Sequence, residues 1–404
     1  MRKPRSPAWA RYSGFAVALI SAAAALASSA GAQTRRVTDD PPLCPRTVEA
    51  VRVLPSDICR NRQLAPHTIA VQSGLTVVAT TGFTGAIMGR LDSVRGQAAA
   101  VGALTSLGTD GLMGLGAGGK SKAPQPGAES PLTVYGMGTF LGGSRADAPN
   151  MTGFGYDAIS GTVGIEYSVD RNLIVGLAAN YTTTNADLHS GATIDVDAIQ
   201  AAAYLSYATR QWFVDALAAY GSHDLDLARP GLIDPIRSST YAGVFALAAR
   251  AGYLFDFGRL RAGPIAGLTY IRSRIDGYTE KGDPNLTFTV SAQTLESLTG
   301  SLGIRFLTSF QAGGNLVIPY LNITWEHQFG DSTRTLATSL TQVPSLPPIL
   351  STFPRFDTRD FGKIDAGVTV QLGPDLSATV SAASTFARDE SYDFRISTGL
   401  NFRF

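Results

Sequence analysis

Ser391-Tyr392-Asp393-Phe394-Arg395-Ile396-Ser397-Thr398-Gly399-Leu400-Asn401-Phe402-Arg403-Phe404 closes the chain. One parity reads Tyr392, Phe394, Ile396, Thr398, Leu400, Phe402, Phe404, and the other Asp393, Arg395, Ser397, Gly399, Asn401, Arg403. A period of two is a β-strand with one apolar and one polar face. A soluble sandwich would bury the apolar face in a core. An outer-membrane barrel turns it to lipid and the polar face to a wet lumen. The segments upstream separate the two.

From Leu132 onward nearly everything alternates, and twelve strands are expected at about 132–144, 154–169, 172–186, 194–208, 211–225, 238–256, 259–275, 288–310, 315–330, 358–372, 375–387 and 391–404. The clearest outward faces are Leu173, Val175, Leu177 and Tyr181 in the third strand and Tyr241, Phe245, Leu247, Tyr253 and Phe255 in the sixth. Val317, Leu321, Ile323 and Trp325 do the same in the ninth, and Ile364, Ala366, Val368 and Val370 in the tenth. The opposite parity carries Glu166, Asn180, Asp215, Arg250, Arg305, Glu326, Asp365 and Arg395. A charge facing lipid at mid-depth costs a few kcal/mol, so these side chains are expected in the lumen.

The connections sort by length. Short turns fall at Asp170-Arg171-Asn172, Thr209-Arg210-Gln211, 256–259, Ala312-Gly313-Gly314 and Gly373-Pro374-Asp375, and longer ones at 145–153, 187–193, 226–237, 276–287, 331–357 and 388–390. Strict alternation of short and long connections marks an up-and-down barrel with periplasmic turns and external loops. The fold expected is a twelve-stranded antiparallel outer-membrane β-barrel, residues 132–404. Aromatic residues near strand ends, among them Tyr167, Trp212, Trp325 and Tyr392, fit interfacial girdles.

Upstream of the strands the period changes. Val71, Leu75, Val78, Phe83, Ile87 and Leu91 recur at steps of three to five, which predicts a helix over 67–100. Gly74, Gly82, Gly85 and Gly89 make it a poor helix by propensity, so it needs close walls to persist. Arg90, Asp92 and Arg95 keep it out of lipid. Twelve strands spaced about 4.8 Å and tilted near 40° enclose a barrel roughly 24 Å across. Inward side chains leave about 10–12 Å, the width of one helix. The helix is therefore expected to thread the lumen, an arrangement that small inward residues such as Gly176, Ala178, Ala202 and Gly367 favour. A Gly- and Pro-rich linker, 101–131, joins it to the first strand. Gly119-Lys120-Ser121 lacks the spacing of a phosphate loop.

The N-terminus reads as a secretory signal, residues 1–32. Arg2, Lys3, Arg5 and Arg11 precede an apolar stretch from Phe15 to Leu26, and Ala30-Gly31-Ala32 offers a cleavage site. Export through the Sec translocon follows. Residues 33–66 read as a short exposed, Pro-punctuated segment. Its Cys44 and Cys59 suit a small disulfide loop better than a redox or metal site, since no CxxC is present. With 33 basic and 32 acidic residues, and only 16% charged, the chain has no footprint for nucleic acid. No cofactor is expected.

Taken together, the glycine-punctuated helix, the linker, the twelve alternating strands, the terminal Phe404 and the stretch Pro319-Tyr320 … Trp325-Glu326-His327-Gln328-Phe329-Gly330-Asp331 resemble the autotransporter β-domain of type V secretion. The resemblance covers roughly residues 66–404. It implies a monomeric barrel in the outer membrane of a Gram-negative bacterium, with surrounding lipid as its solvent and periplasmic chaperones on its route. It implies a helix that joins an N-terminal passenger to the wall. It also implies that the barrel-assembly machinery reads Leu400, Phe402 and Phe404. Family members commonly carry hundreds of passenger residues, whereas about 33–66 precede the helix here, with no repeat and no catalytic domain.

Two other classes compete. A plugged channel or structural, adhesive barrel would share the wall. A barrel-embedded hydrolase would need a nucleophile, and none is identifiable. His223-Asp224 near the outer end of the fifth strand suits a general base on paper but reads better as a solvated turn. Gly330-Asp331-Ser332 resembles a lipase block but opens a barrel loop instead of following a parallel strand. His327 shares outward parity with Trp325 and Phe329 and reads as interfacial.

Overall fold

A computed structural model describes residues 56–107, 131–147, 151–283, 286–330, 333–342, 344–345, 347–354, 358–389 and 391–404. Twelve long strands build the wall: β1 Leu132–Arg145, β2 Phe154–Ser168, β3 Leu173–Leu188, β4 Thr193–Ala208, β5 Trp212–Arg229, β6 Ile236–Tyr253, β7 Leu260–Ile275, β8 Gln293–Thr308, β9 Asn315–Phe329, β10 Asp360–Gln371, β11 Leu376–Phe386 and β12 Tyr392–Arg403. Each pairs antiparallel with its sequence neighbours. β12 pairs back onto β1, from Thr133↔Arg403 to Ser144↔Tyr392, so the sheet closes and no edge is left.

Burial alternates along the wall as the sequence pattern requires. β4 runs strictly exposed, buried, exposed over most of its length. Large apolar side chains cover the outside, among them Ile159, Val163, Leu177, Ile199, Leu247, Leu302 and Leu400. Only a hydrocarbon solvent suits such a band. Ring pairs Tyr207–Trp212 (5.1 Å), Tyr253–Phe255 (4.8 Å) and Phe402–Phe404 (4.9 Å) lie near the short-turn rim, as an interfacial girdle would. Inside, tyrosines lie over glycines of the neighbouring strand. Tyr135 covers Gly164 and Tyr204 covers Gly176, where any Cβ would overlap the ring.

Among the described residues the lumen holds one helix, α1, Ser56–Leu107, 52 residues long. At 1.5 Å per residue it spans about 78 Å, more than the wall is tall. It begins earlier and ends later than the 67–100 stretch read from periodicity, and it passes through Pro66, where one backbone hydrogen bond is missing. Val71, Leu75, Phe83, Ile87 and Leu91 are buried and Val78 is half-buried. Cys44, the signal region and residues 108–130 lie outside the described residues, as does the Cys59 side chain, so the disulfide expected there does too. No described helix is long and apolar enough to cross a membrane, and the strands supply the crossing.

One feature departs from the expected loops. Tyr278–Thr279, Phe288–Val290, Thr333–Leu340 and Ile349–Pro354 form a separate four-stranded sheet over the long-loop mouth. The expected eighth strand, 288–310, is therefore broken: Phe288–Val290 joins this sheet, Gln293–Thr308 is wall, and Phe310 opens a short strand of its own, Phe310–Ala312. Phe288 and Val290 point inward on even positions, whereas Gln293 and Leu295 do so on odd ones. The parity slips at Ser291-Ala292, and a strand that slips by one must break there. Arg229 fixes the sheet from the barrel rim, its guanidinium donating to Glu280 Oε1 (2.8 Å) and Oε2 (2.5 Å) and to the Leu286 carbonyl (2.6 Å).

Candidate functional site

The site is the contact between α1 and the wall, and it differs along the helix. Toward the long-loop mouth most contacts join neutral groups. The Thr68 and Ser190 hydroxyls are 3.2 Å apart, the Tyr278 hydroxyl donates to Gln72 Oε1 (2.8 Å), and Thr76 and Ser273 are 2.7 Å apart. His67 packs edge-on against Phe353 at 5.7 Å, and Arg334 donates to the Ala70 carbonyl. The helix tolerates so many threonines because they bond its own turns. Thr80 donates to the Thr76 carbonyl (2.9 Å) and Thr84 to that of Thr80 (3.0 Å).

Toward the short-turn rim the contacts are ionic. Arg90 grips Glu166 of β2 through Nε (3.1 Å) and a terminal nitrogen (2.7 Å). The Tyr204 hydroxyl sits 3.1 Å from the same carboxylate and 2.8 Å from the Tyr135 hydroxyl. Asp92 is the hub. It accepts two bonds from Arg250 (3.0 and 2.6 Å), one from Asn322 (3.0 Å), and others from Arg305 and Arg95. Asp215 joins by accepting from Arg250 (3.2 and 2.9 Å), Ser206 (2.7 Å) and Arg95. Phe213 lies beneath three guanidiniums, with Arg95 4.0 Å, Arg305 5.8 Å and Arg250 5.9 Å from its ring centre. Three arginines and two aspartates in a low-dielectric lumen hold together only as a set.

All eight polar residues read from strand parity lie on the lumen side, and Glu166, Asp215, Arg250, Arg305, Asp365 and Arg395 enter ion pairs there. The wall thus brings Glu166, Asp215, Arg250 and Arg305 to the helix charges Arg90, Asp92 and Arg95. Asn322 and the bonds of Tyr278 and Arg334 had no signal in the sequence, because they depend on how the helix is rotated and how the outer loops fold.

His223 corrects the reading of a solvated turn. It lies within β5, fully buried, with Nε2 3.1 Å from Gln200 Nε2, and Gln200 in turn donates to the Thr80 hydroxyl (2.9 Å). Asp224 sits on the opposite parity and is exposed, so the two form no dyad. His327 lies outside between Trp325 (5.7 Å) and Phe329 (4.7 Å), with Nδ1 2.8 Å from Asp360. Leu400, Phe402 and Phe404 all face outward at the foot of the β12–β1 seam, where the Phe404 amide donates to the Leu132 carbonyl (3.1 Å). Among the described residues no cluster of His, Cys, Asp and Glu has metal-binding spacing.

A closed twelve-stranded wall, apolar outside and filled by a charge-locked helix, defines a plugged outer-membrane barrel. Residues 135–383 match the autotransporter β-domain family, and the chain belongs to it. It is an outer-membrane translocator barrel of a Gram-negative bacterium. The translocator domain of autotransporter NalP from Neisseria meningitidis superposes with a TM-score of 0.54 at 17% identity, covering 78% of this chain and 98% of that one. The β domain of the Bordetella autotransporter BrkA gives 0.51 at 18%, covering 67% and 99%. Esterase EstA of Pseudomonas aeruginosa is 26% identical over 256 residues, 58% of this chain and 38% of the esterase. Outer membrane protein A of Rickettsia conorii is 22% identical over 210 residues, 47% of this chain and 10% of that protein. The chain spans well under half the length of these curated relatives.

Proposed function

We propose that the barrel delivers its own N-terminal segment to the cell surface and keeps α1 in the lumen as the trailing end of that transit. The observation that carries this is the direction of the helix. Residues 67–76 meet the long-loop end, through Ser190, Tyr278, Arg334 and Phe353, and residues 90–96 meet the short-turn end, through Glu166, Asp215 and Leu307. If short turns are periplasmic, the chain before Ser56 leaves through the outer mouth. A simple pore has no use for a helix so oriented and so tightly held.

Two further roles belong to this reading. Leu400, Phe402 and Phe404 form the outward signal for the barrel-assembly machinery, and periplasmic chaperones and the Sec translocon act earlier. The segments run as signal 1–32, displayed segment from 33, pore helix, linker, and barrel 132–404. The esterase activity named in one relative is that protein's, and the present reading needs only that a segment precede the helix.

Protease shaving of intact cells, followed by an antibody to residues 33–55, tests the display. Loss of the epitope without loss of periplasmic markers is expected. An epitope that survives until the outer membrane is breached contradicts the reading.

A further inference from the structure

The barrel closes where β1 meets β12, and Leu141 and Arg395 are direct partners across that seam. Both point into the lumen and both are buried. Their side chains enter adjacent notches on the helix. A Cβ on Gly82 would lie 2.6 Å from Leu141 Cδ2, and one on Gly85 would overlap the Arg395 guanidinium. One turn further on, a Cβ on Gly89 would lie 3.6 Å from the Tyr320 hydroxyl and 4.0 Å from Arg395. The spacing i, i+3, i+7 puts these three glycines on one face of α1. Arg395 cannot swing aside freely, because it donates to Asp365 of β10 at 2.8 Å, across the intervening strand β11.

The geometry points to a closure-sensing contact: Leu141 and Arg395 form a two-residue key that exists only when the first and last strands are joined, and the Gly82–Gly85 double notch seats α1 against it. Before β12 pairs with β1, the two halves of the key lie on different strand ends with no fixed separation. The helix then has no matching surface on this side. Once the seam forms, the key fills both notches and sets the rotation and height of α1, which in turn brings Arg90 and Asp92 opposite their wall partners. Leu141 and Arg395 are thus positioning residues for the plug. Propensity offers no other reason for glycine here, since every ordinary residue favours a helix more.

The inference rests on α1 filling the lumen, and the test separates the two. Conductance of the full-length chain is recorded in planar bilayers alongside heat-modifiable migration. The variants are Gly85→Leu, Gly85→Ala, Gly74→Leu and a deletion of 67–100. Gly74 has open space where a Cβ would go, so Gly74→Leu is the control on the same helix. Gly85→Leu is expected to raise conductance several-fold toward the deletion level, with the barrel still inserted, and Gly74→Leu to stay blocked. Gly85→Ala is expected to leak partially, and adding Arg395→Ala with Asp365→Asn to restore the block. Should Gly85→Leu fail to insert, the Gly85→Ala series decides alone. If the deletion opens the pore but the Gly85 variants stay blocked, or if emptying the notch partner restores nothing, the key is wrong. If the deletion itself changes nothing, the helix is not the plug, and it is that earlier reading that fails.

Discussion

Asp92 joins the helix to the wall through two wall arginines, Arg250 and Arg305, and also pairs with Arg95 one turn along its own helix. Replacing it with Asn keeps the shape, leaves Arg95 and Arg250 with Asp215, and takes from Arg305 the carboxylate it pairs with. Removing one member of a buried ion set costs about 3–5 kcal/mol. We expect Asp92→Asn to lower the heat-modification temperature markedly and to admit ion current, measured on semi-native gels and in bilayers. An unchanged transition would show that the hub is dispensable. Gly74→Ala should do the opposite. Its Cβ meets open space, and the gain in helix propensity is about 1 kcal/mol. At this scale the sequence was informative about which wall residues are charged and inward, because parity alone assigns Glu166, Asp215, Arg250 and Arg305. It was silent on their partners. Pairing depends on the rotation of α1 about its axis, and the apolar steps of three to five give the helical period without saying which wall strand each face meets. The glycines of the helix read as a group that lets it approach a wall closely, and nothing set Gly82 and Gly85 apart from Gly74, whose Cβ position is open.

The elements divide into a rigid wall, a threaded helix and an outer sheet. Strand boundaries followed the alternation closely because each strand faces two different solvents, which gives the strongest period-two signal available. The outer sheet was not legible. Its strands hide in segments that read as loops, and one was fused to β8 because no Gly or Pro interrupts residues 288–298, despite the slipped parity at Ser291-Ala292. Arg229 ties that sheet to the rim, so Arg229→Ala should loosen it while leaving the wall intact. The expected readout is faster cleavage within 331–357 by external protease, with unchanged heat-modifiable migration. Cleavage at the wild-type rate would mean the sheet is held mainly by Leu336, Phe288 and Phe353, which are buried beneath it.

At the scale of the whole molecule, the closed sheet, the outward apolar band and the family match place the chain in the outer membrane. Leu132–Phe404 alone should insert and migrate as a heat-modifiable barrel with higher conductance than the full chain. A fragment that is soluble and monomeric without detergent would contradict this. Deleting Phe404 should sharply reduce outer-membrane levels and leave degraded or aggregated periplasmic chain, since the residue faces outward at the seam where closure is completed. Normal levels after deletion would leave Phe404 as packing only. The central claim remains directional, that the chain before Ser56 lies outside the cell. A cysteine-bearing tag at residue 40, challenged with a membrane-impermeant reagent on intact cells, tests it most directly, with an identical tag in the 341–345 loop as reference. The account predicts that both are labelled at comparable rates. Labelling of the loop tag together with a residue-40 tag that reacts only after permeabilisation would contradict it, and would leave a plugged barrel with a periplasmic tail.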